Sequence, residues 1–255
     1  MNFFYGIKSS YLNSSLSIPK FKNVGIRENN LNVYEAFPNK NTWEINKVNC
    51  EENSDFFFVN EQIENNKIFF LANDNDINLF VKNKKSQLIN FNNFTETIPE
   101  YRSNLKIFIL DGGFSSYQSE YPFGMINKRG NILSPINILL DINSDHNIIF
   151  FKNIYFEPKI EKSNLYFINI EKKEVLEKVD IYSNYLNEIK VKKEYLKKNI
   201  YIFSENCLGI PMFVSIKDKH ISFEHTHPPH HYILSEDKFK IINSIKNEYK
   251  EIINK

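Results

Sequence analysis

The chain has 255 residues, 42% hydrophobic and 15% aromatic, which is enough apolar material for a sizeable core and too much for a disordered polymer. Its 32 Lys and Arg against 31 Asp and Glu leave a net charge of +1, so charge supplies no argument for nucleic acid or an anionic membrane as partner. Neither is expected here.

Asn, Ile, Lys, Phe and Tyr are abundant, whereas Ala stands only at Ala36 and Ala72 and Arg only at Arg27, Arg102 and Arg129. The favoured residues have AT-rich codons, so the skew reports the genome. Where Lys is the default cation, a retained Arg marks a candidate site for the planar, multi-donor guanidinium, here Arg102 and Arg129. The two cysteines, Cys50 and Cys207, are far apart and outside any paired motif, which fits a reducing compartment. Residues 1–8 carry too short an apolar run for a secretory leader, and no uncharged stretch approaches the ~20 residues of a spanning helix. A soluble, cytoplasmic protein is expected.

In chain order, residues 43–49, 55–60, 67–72, 77–82 and 87–91 are short runs of β-branched and aromatic residues. Polar breakers such as Asn73-Asp-Asn-Asp76 separate them, and the spacing predicts a β-meander over 1–100. Residues 105–110, apolar apart from Lys106, predict a buried strand, closing at Asp111-Gly112-Gly113. Ser134-Pro135 reads as cap and first position of a short helix over 136–140. Strands are expected over 147–156, 164–170 and 174–182, and 188–199 is ambiguous with a short helix. Strands over 200–204, 211–216 and 220–225 follow, the last two as a hairpin turning at Lys217-Asp-Lys219. A long helix over 236–253 closes the chain, capped by Ser235, with Phe239, Ile242, Ile245, Tyr249 and Ile253 as its packing face.

These elements predict a β-rich α+β fold, mostly antiparallel sheet with one long C-terminal helix packed against it. A β-sandwich or barrel with an accessory helix is the alternative. Residues 1–255 are expected to form one compact unit. The meander occupies 1–100, and the glycine-rich loop, histidine segment and helix occupy 101–255.

Five of the six histidines lie within twelve residues, His220, His225, His227, His230 and His231. Alternate residues of a strand share a face, so His225 and His227 would point to one side. Pro228-Pro229 breaks the strand and could turn His230 or His231 back toward the same ion. The set suits a divalent metal, zinc or iron above all. A hydrogen-bonded or solvent-exposed histidine cluster is the plainer reading. The cupin, histidine-triad and amidohydrolase patterns each fail on the residues present.

The second unusual segment is Asp111-Gly-Gly-Phe-Ser-Ser-Tyr-Gln-Ser-Glu-Tyr-Pro-Phe-Gly124. Aromatic faces beside hydroxyl, amide and acid groups suit a carbohydrate or other small polar ligand. Cys207 reads as a small buried residue and not as a nucleophile.

Two functions follow as expectations. One is a metal-dependent hydrolase or lyase acting on a polar, sugar-like molecule, with the metal on His225, His227, His230 and His231 and with Asp111 or Glu120 as general acid or base. The other is a non-catalytic binding protein that presents the 111–124 segment to a glycan or a protein partner.

Overall fold

The computed structural model describes residues 2–20, 31–60, 62–82, 88, 102–110, 112–225 and 233–255. The fold is β-rich, with mostly antiparallel sheets and one long C-terminal helix. The chain divides into two units. Unit 1 comprises Met1–Lys128, Asn153–Glu161 and Ser183–Leu186, and unit 2 comprises Arg129–Lys152, Lys162–Tyr182 and Asn187–Lys255.

Unit 1 contains β1 (Asn2–Phe3), β2 (Asn13–Pro19), β3 (Asn32–Asn39), β4 (Thr42–Lys47), β5 (Glu51–Glu52), β6 (Phe56–Val59), β7 (Ile68–Ala72), helix α1 (Asp74–Lys82), β8 (Ser103–Phe108), β9 (Phe114–Ser119) and β10 (Tyr121–Pro122). Five strands form one sheet in the order β5-β6-β2-β8-β9, three form another in the order β4-β3-β7, and β1 pairs with β10. The strands β8 and β9, which fall beyond residue 100, therefore join β2 in the same sheet as the earlier meander strands. Strand β2 alternates polar and apolar residues, so Leu16 and Ile18 face a core with Leu105 and Ile107 of β8. Phe3 sets its edge against Phe70 at 5.8 Å in the same unit.

The strand expected over 77–82 is instead part of α1. Asn73 explains the difference, because its Oδ1 accepts from the Asp76 backbone N–H at 2.8 Å. Its Nδ2 donates back to the Asp76 carboxylate at 2.6 Å. This reciprocal pair three residues apart starts a helix, so the breaker read from the sequence is a cap. The strand expected over 87–91 lies outside the described residues apart from Leu88.

Unit 2 contains β11 (Leu133–Pro135), β12 (His146–Lys152), β13 (Lys162–Asn169), β14 (Glu174–Tyr182), β15 (Leu186–Lys190) apart from its first residue, β16 (Ile200–Ser204), β17 (Met212–Lys217), β18 (His220–His225) and helix α2 (Lys238–Ile253). Its two four-stranded sheets run β11-β16-β13-β14 and β15-β12-β17-β18. One core joins them: Leu165, Phe167, Ile181 and Ile202 of the first sheet pack with Ile149, Phe151, Ile189 and Phe213 of the second. Two antiparallel sheets thus share one core in this unit.

No helix forms over 136–140. The Ile136 N–H is taken by the Ile200 carbonyl at 3.3 Å, which ties the segment to β16, and only turns follow β11. The ambiguous stretch resolves into β15 and a short 3-10 turn at Lys193–Lys197. The β17–β18 hairpin turns where expected, with Lys217 opposite His220 and Asp218 at φ 51°.

Helix α2 lies on the outer face of the first sheet. Tyr249 and Ile252 pack with Ile168 and Phe203, and the Tyr249 ring stacks on Phe203 at 5.6 Å. Ile242 and Ile253 are covered or partly covered as expected, whereas Phe239 is 59% and Ile245 37% exposed. The packed stripe is therefore shifted toward the helix C-terminus. The Ser235 hydroxyl accepts from the Asp237 N–H at 3.2 Å, just ahead of the first turn.

Candidate functional site

The outward face of the five-stranded sheet in unit 1 follows from strand alternation. Cross-strand neighbours point to the same side. The register then sets out three rows: Asn13, Phe108 and Phe114; Ser15, Lys106 and Ser116; Ser17, Asn104 and Gln118. Phe58 extends the third row and Phe56 stands beside Pro19. All of these side chains are exposed or half-buried, and those between them point into the core.

The result is an open surface of hydroxyls, carboxamides and one ammonium, with aromatic rings at opposite corners. Phe58 and Phe114 lie about 20 Å apart along the diagonal, from the spacing of strands and residues. Phe114 is 64% exposed, and the Lys106 ammonium sits 4.3 Å from its ring centroid. Where the face meets the start of β2 and the end of β8, a cleft of about 620 Å³ opens. Lys8, Asn13, Ser15, Asn60, Lys106 and Phe108 are among its walls.

The segment read from sequence as a loop is mostly strand, since β9 covers Phe114–Ser119. The preceding turn is tight. Gly112 N–H donates to the Ile109 carbonyl at 3.0 Å, and a Cβ on Gly112 would lie 2.8 Å from Ile109 Cβ, so a side chain there requires Ile109 to move. The far end of β9 is fixed by Arg102. Its Nη1 donates to Gln118 Oε1 at 2.6 Å and its Nε pairs with Glu120 Oε2 at 2.9 Å. One guanidinium thus uses two of its donor directions, which a lysine could not copy. Glu120, a candidate acid or base, is held in that ion pair. Its charge, after burial, is the second cause that raises the phenol pKa of buried Tyr5.

The other predicted site residues are divided. Asp111, His227, His230 and His231 lie outside the described residues. His225 is the last residue of β18, half-buried, opposite Met212. Its face of the sheet also carries Phe223, Val214 and Phe150, by the same register. Glu120 belongs to unit 1 and His225 to unit 2. Among the described residues no group of three or more His, Cys, Asp or Glu is gathered as a metal set. Cys207 is buried and its thiol is pushed up to about 12 by desolvation, against a weaker opposing effect of Arg129, which matches the inert reading.

Two features were not singled out in the sequence. The outward face was legible as period-two alternation in Asn13-Ser-Ser-Leu-Ser-Ile-Pro19 and again in Ser103–Phe108. Lys152 was legible as the cation that closes the apolar run of β12. It is completely buried, and desolvation lowers its ammonium pKa to about 7.

No protein-family model, no curated protein and no solved structure matches the chain.

Proposed function

We propose that this chain is a non-catalytic β-rich binding protein whose first unit holds a glycan across the β6-β2-β8-β9 face. The observation that carries this reading is the register itself. It lines up Ser15, Ser17, Asn13, Asn104, Ser116 and Gln118 on one open surface between exposed phenylalanines. Hydroxyls and carboxamides both donate and accept, as a polyhydroxylated ligand requires. Aromatic faces supply apolar area to the C–H faces of sugar rings. The cytoplasmic setting belongs to the same proposal. It is supported by two free thiols, Cys50 and Cys207. Among the described residues no helix is long and apolar enough to cross a membrane.

The test is affinity electrophoresis and calorimetry against a panel of neutral and acidic polysaccharides. At least one is expected to retard the protein, and Phe114→Ala should weaken that binding about tenfold, or ~1.4 kcal/mol. A protein that binds nothing across the panel overturns the reading.

A metal-dependent hydrolase or lyase is the second reading, favoured by the position of His225. It closes an edge strand half-buried, and three further histidines follow within six residues. Zinc or iron would sit on His225, His227 and His230 or His231, with Asp111 or Glu120 as acid or base. Tag-free protein should then carry stoichiometric metal that His225→Ala abolishes, and Asp111→Asn should weaken it ~10–100-fold. Metal-free protein with no measurable affinity for zinc or iron would refute this.

A further inference from the structure

We infer that the glycan is an acidic one, a polymer of uronic-acid type, whose carboxylate enters the cleft beside Lys106. This rests on the glycan reading of the same face. The described walls of the cleft hold two lysines, two asparagines and two serines, and no carboxylate. The two ammoniums are differently placed. Lys8 Nζ already holds a carboxylate, that of Glu64, at 2.9 Å, with both side chains about half exposed. That ion pair leaves Lys106 as the ammonium of the cleft that can take a sugar carboxylate.

Lys106 stands on β8 in the middle row of the face, between Ser15 and Ser116. Its ammonium is held over Phe114, so the charge sits beside the ring that would carry a sugar. An ammonium has three donors, and the ring engages one side of it, which leaves donors for an anion. A uronic acid satisfies both halves of this arrangement, with its ring face on Phe114 and its carboxylate on Lys106. Asn13 and Asn60 add amide donors in the same cleft. A neutral sugar would leave the charge unmatched, and a bare small anion would leave the ring and the polar rows unused. Half-exposed lysines contribute modest Coulomb energy, so the charge selects among glycans and the rows and rings supply the remaining contact.

The experiment measures binding of the full chain to polygalacturonate and to alginate, each paired with its carboxyl-reduced form, with dextran sulfate as a polyanion control. The expected result is a preference of tenfold or more for the acidic member of at least one pair. The preference should narrow toward one in Lys106→Met, which keeps the apolar stem over Phe114. Equal binding of acidic and reduced forms overturns the inference and leaves the glycan reading standing. Dextran sulfate bound as tightly as either uronic polymer also overturns it, because general polyanion attraction then suffices. Binding to no glycan, neutral or acidic, overturns both.

Discussion

Four residues, Asn73, Asp76, Asp74 and Lys152, report how local chemistry sets this structure. Asn73 and Asp76 cap α1, and Asn73→Ala is expected to cost about 0.5–2 kcal/mol in urea unfolding. Asp74, in the first turn of α1, accepts from Tyr34 Oη at 2.6 Å, Asn32 Nδ2 at 2.7 Å and Lys47 Nζ at 3.2 Å. The Tyr34 bond foremost, then Lys47, holds its carboxyl below the usual range. A carboxyl depressed on folding contributes stability above its unfolded pKa and loses it as pH falls through the folded value. The acid limb of stability below about pH 4 should therefore be shallower in Asp74→Asn. Lys152 has the opposite sense. Its folded pKa near 7 lies below the unfolded 10.5, so between these values the unfolded chain binds more protons and stability rises with pH. Lys152→Met should flatten that slope, read by urea unfolding at pH 6 and pH 9. An unchanged pH profile would show that Lys152 is solvated in the native state.

At the level of elements, α2 is secured by its C-terminal half. Tyr249 and Ile252 are buried against Ile168 and Phe203, so Ile252→Ala should cost about 2–5 kcal/mol. Phe239→Ala and Ile245→Ala, on exposed positions, should stay within about 0.5 kcal/mol, a contrast that thermal melting can read directly. A chain ending at Ser235 strips the cover from Tyr201 and Phe203 and is expected to be insoluble. Helical spacing picks out Ile242, Tyr249 and Ile253 because α2 is long and periodic, but it misses Ile252, includes the exposed Phe239 and Ile245, and cannot say where a helix overhangs its sheet. Strand pairs rich in β-branched and aromatic residues between turn signals, such as β13 with β14 and β17 with β18, were legible from composition. The misreadings fall on short apolar runs. Residues 77–82 carry β-formers yet follow a cap, and 136–140 carry a capped-helix signature, yet Ser134 and Pro135 pair with β16 as strand β11. The outward face was missed because it depends on which strands neighbour β8. That is a long-range fact: β2 is some ninety positions earlier in the chain.

At the scale of the molecule, neither unit is a continuous stretch of chain. The polypeptide passes from one unit to the other at 128/129, 152/153, 161/162, 182/183 and 186/187. Unit 1 needs its later insertions. Trp43 Nε1 donates to the Phe156 carbonyl at 2.8 Å, and the Leu186 N–H donates to the Asn65 carbonyl at 2.8 Å. The Asn184 amide also ties down the Glu157 and Lys159 carbonyls in the same unit. A fragment of residues 1–128 is therefore expected to lack cooperative thermal unfolding. A sharp transition with dispersed amide resonances in that fragment would contradict this. The candidate glycan face cannot be studied as a simple N-terminal piece, so binding measurements belong on the whole chain.

The β9 strand also carries a liability. Among the described residues it is the last strand of its sheet, and Phe114-Ser-Ser-Tyr-Gln-Ser119 contains no charge and no proline. Such a border offers unpaired backbone groups as a template for a strand of another molecule, which natural sheets usually discourage with lysine or proline. Among the described residues, Arg102 places a charge at one end of this strand, bonded to Gln118. The openness that suits a ligand thus predisposes concentrated, ligand-free protein to assemble edge to edge into fibrillar aggregates, and an occupied face would double as protection against them.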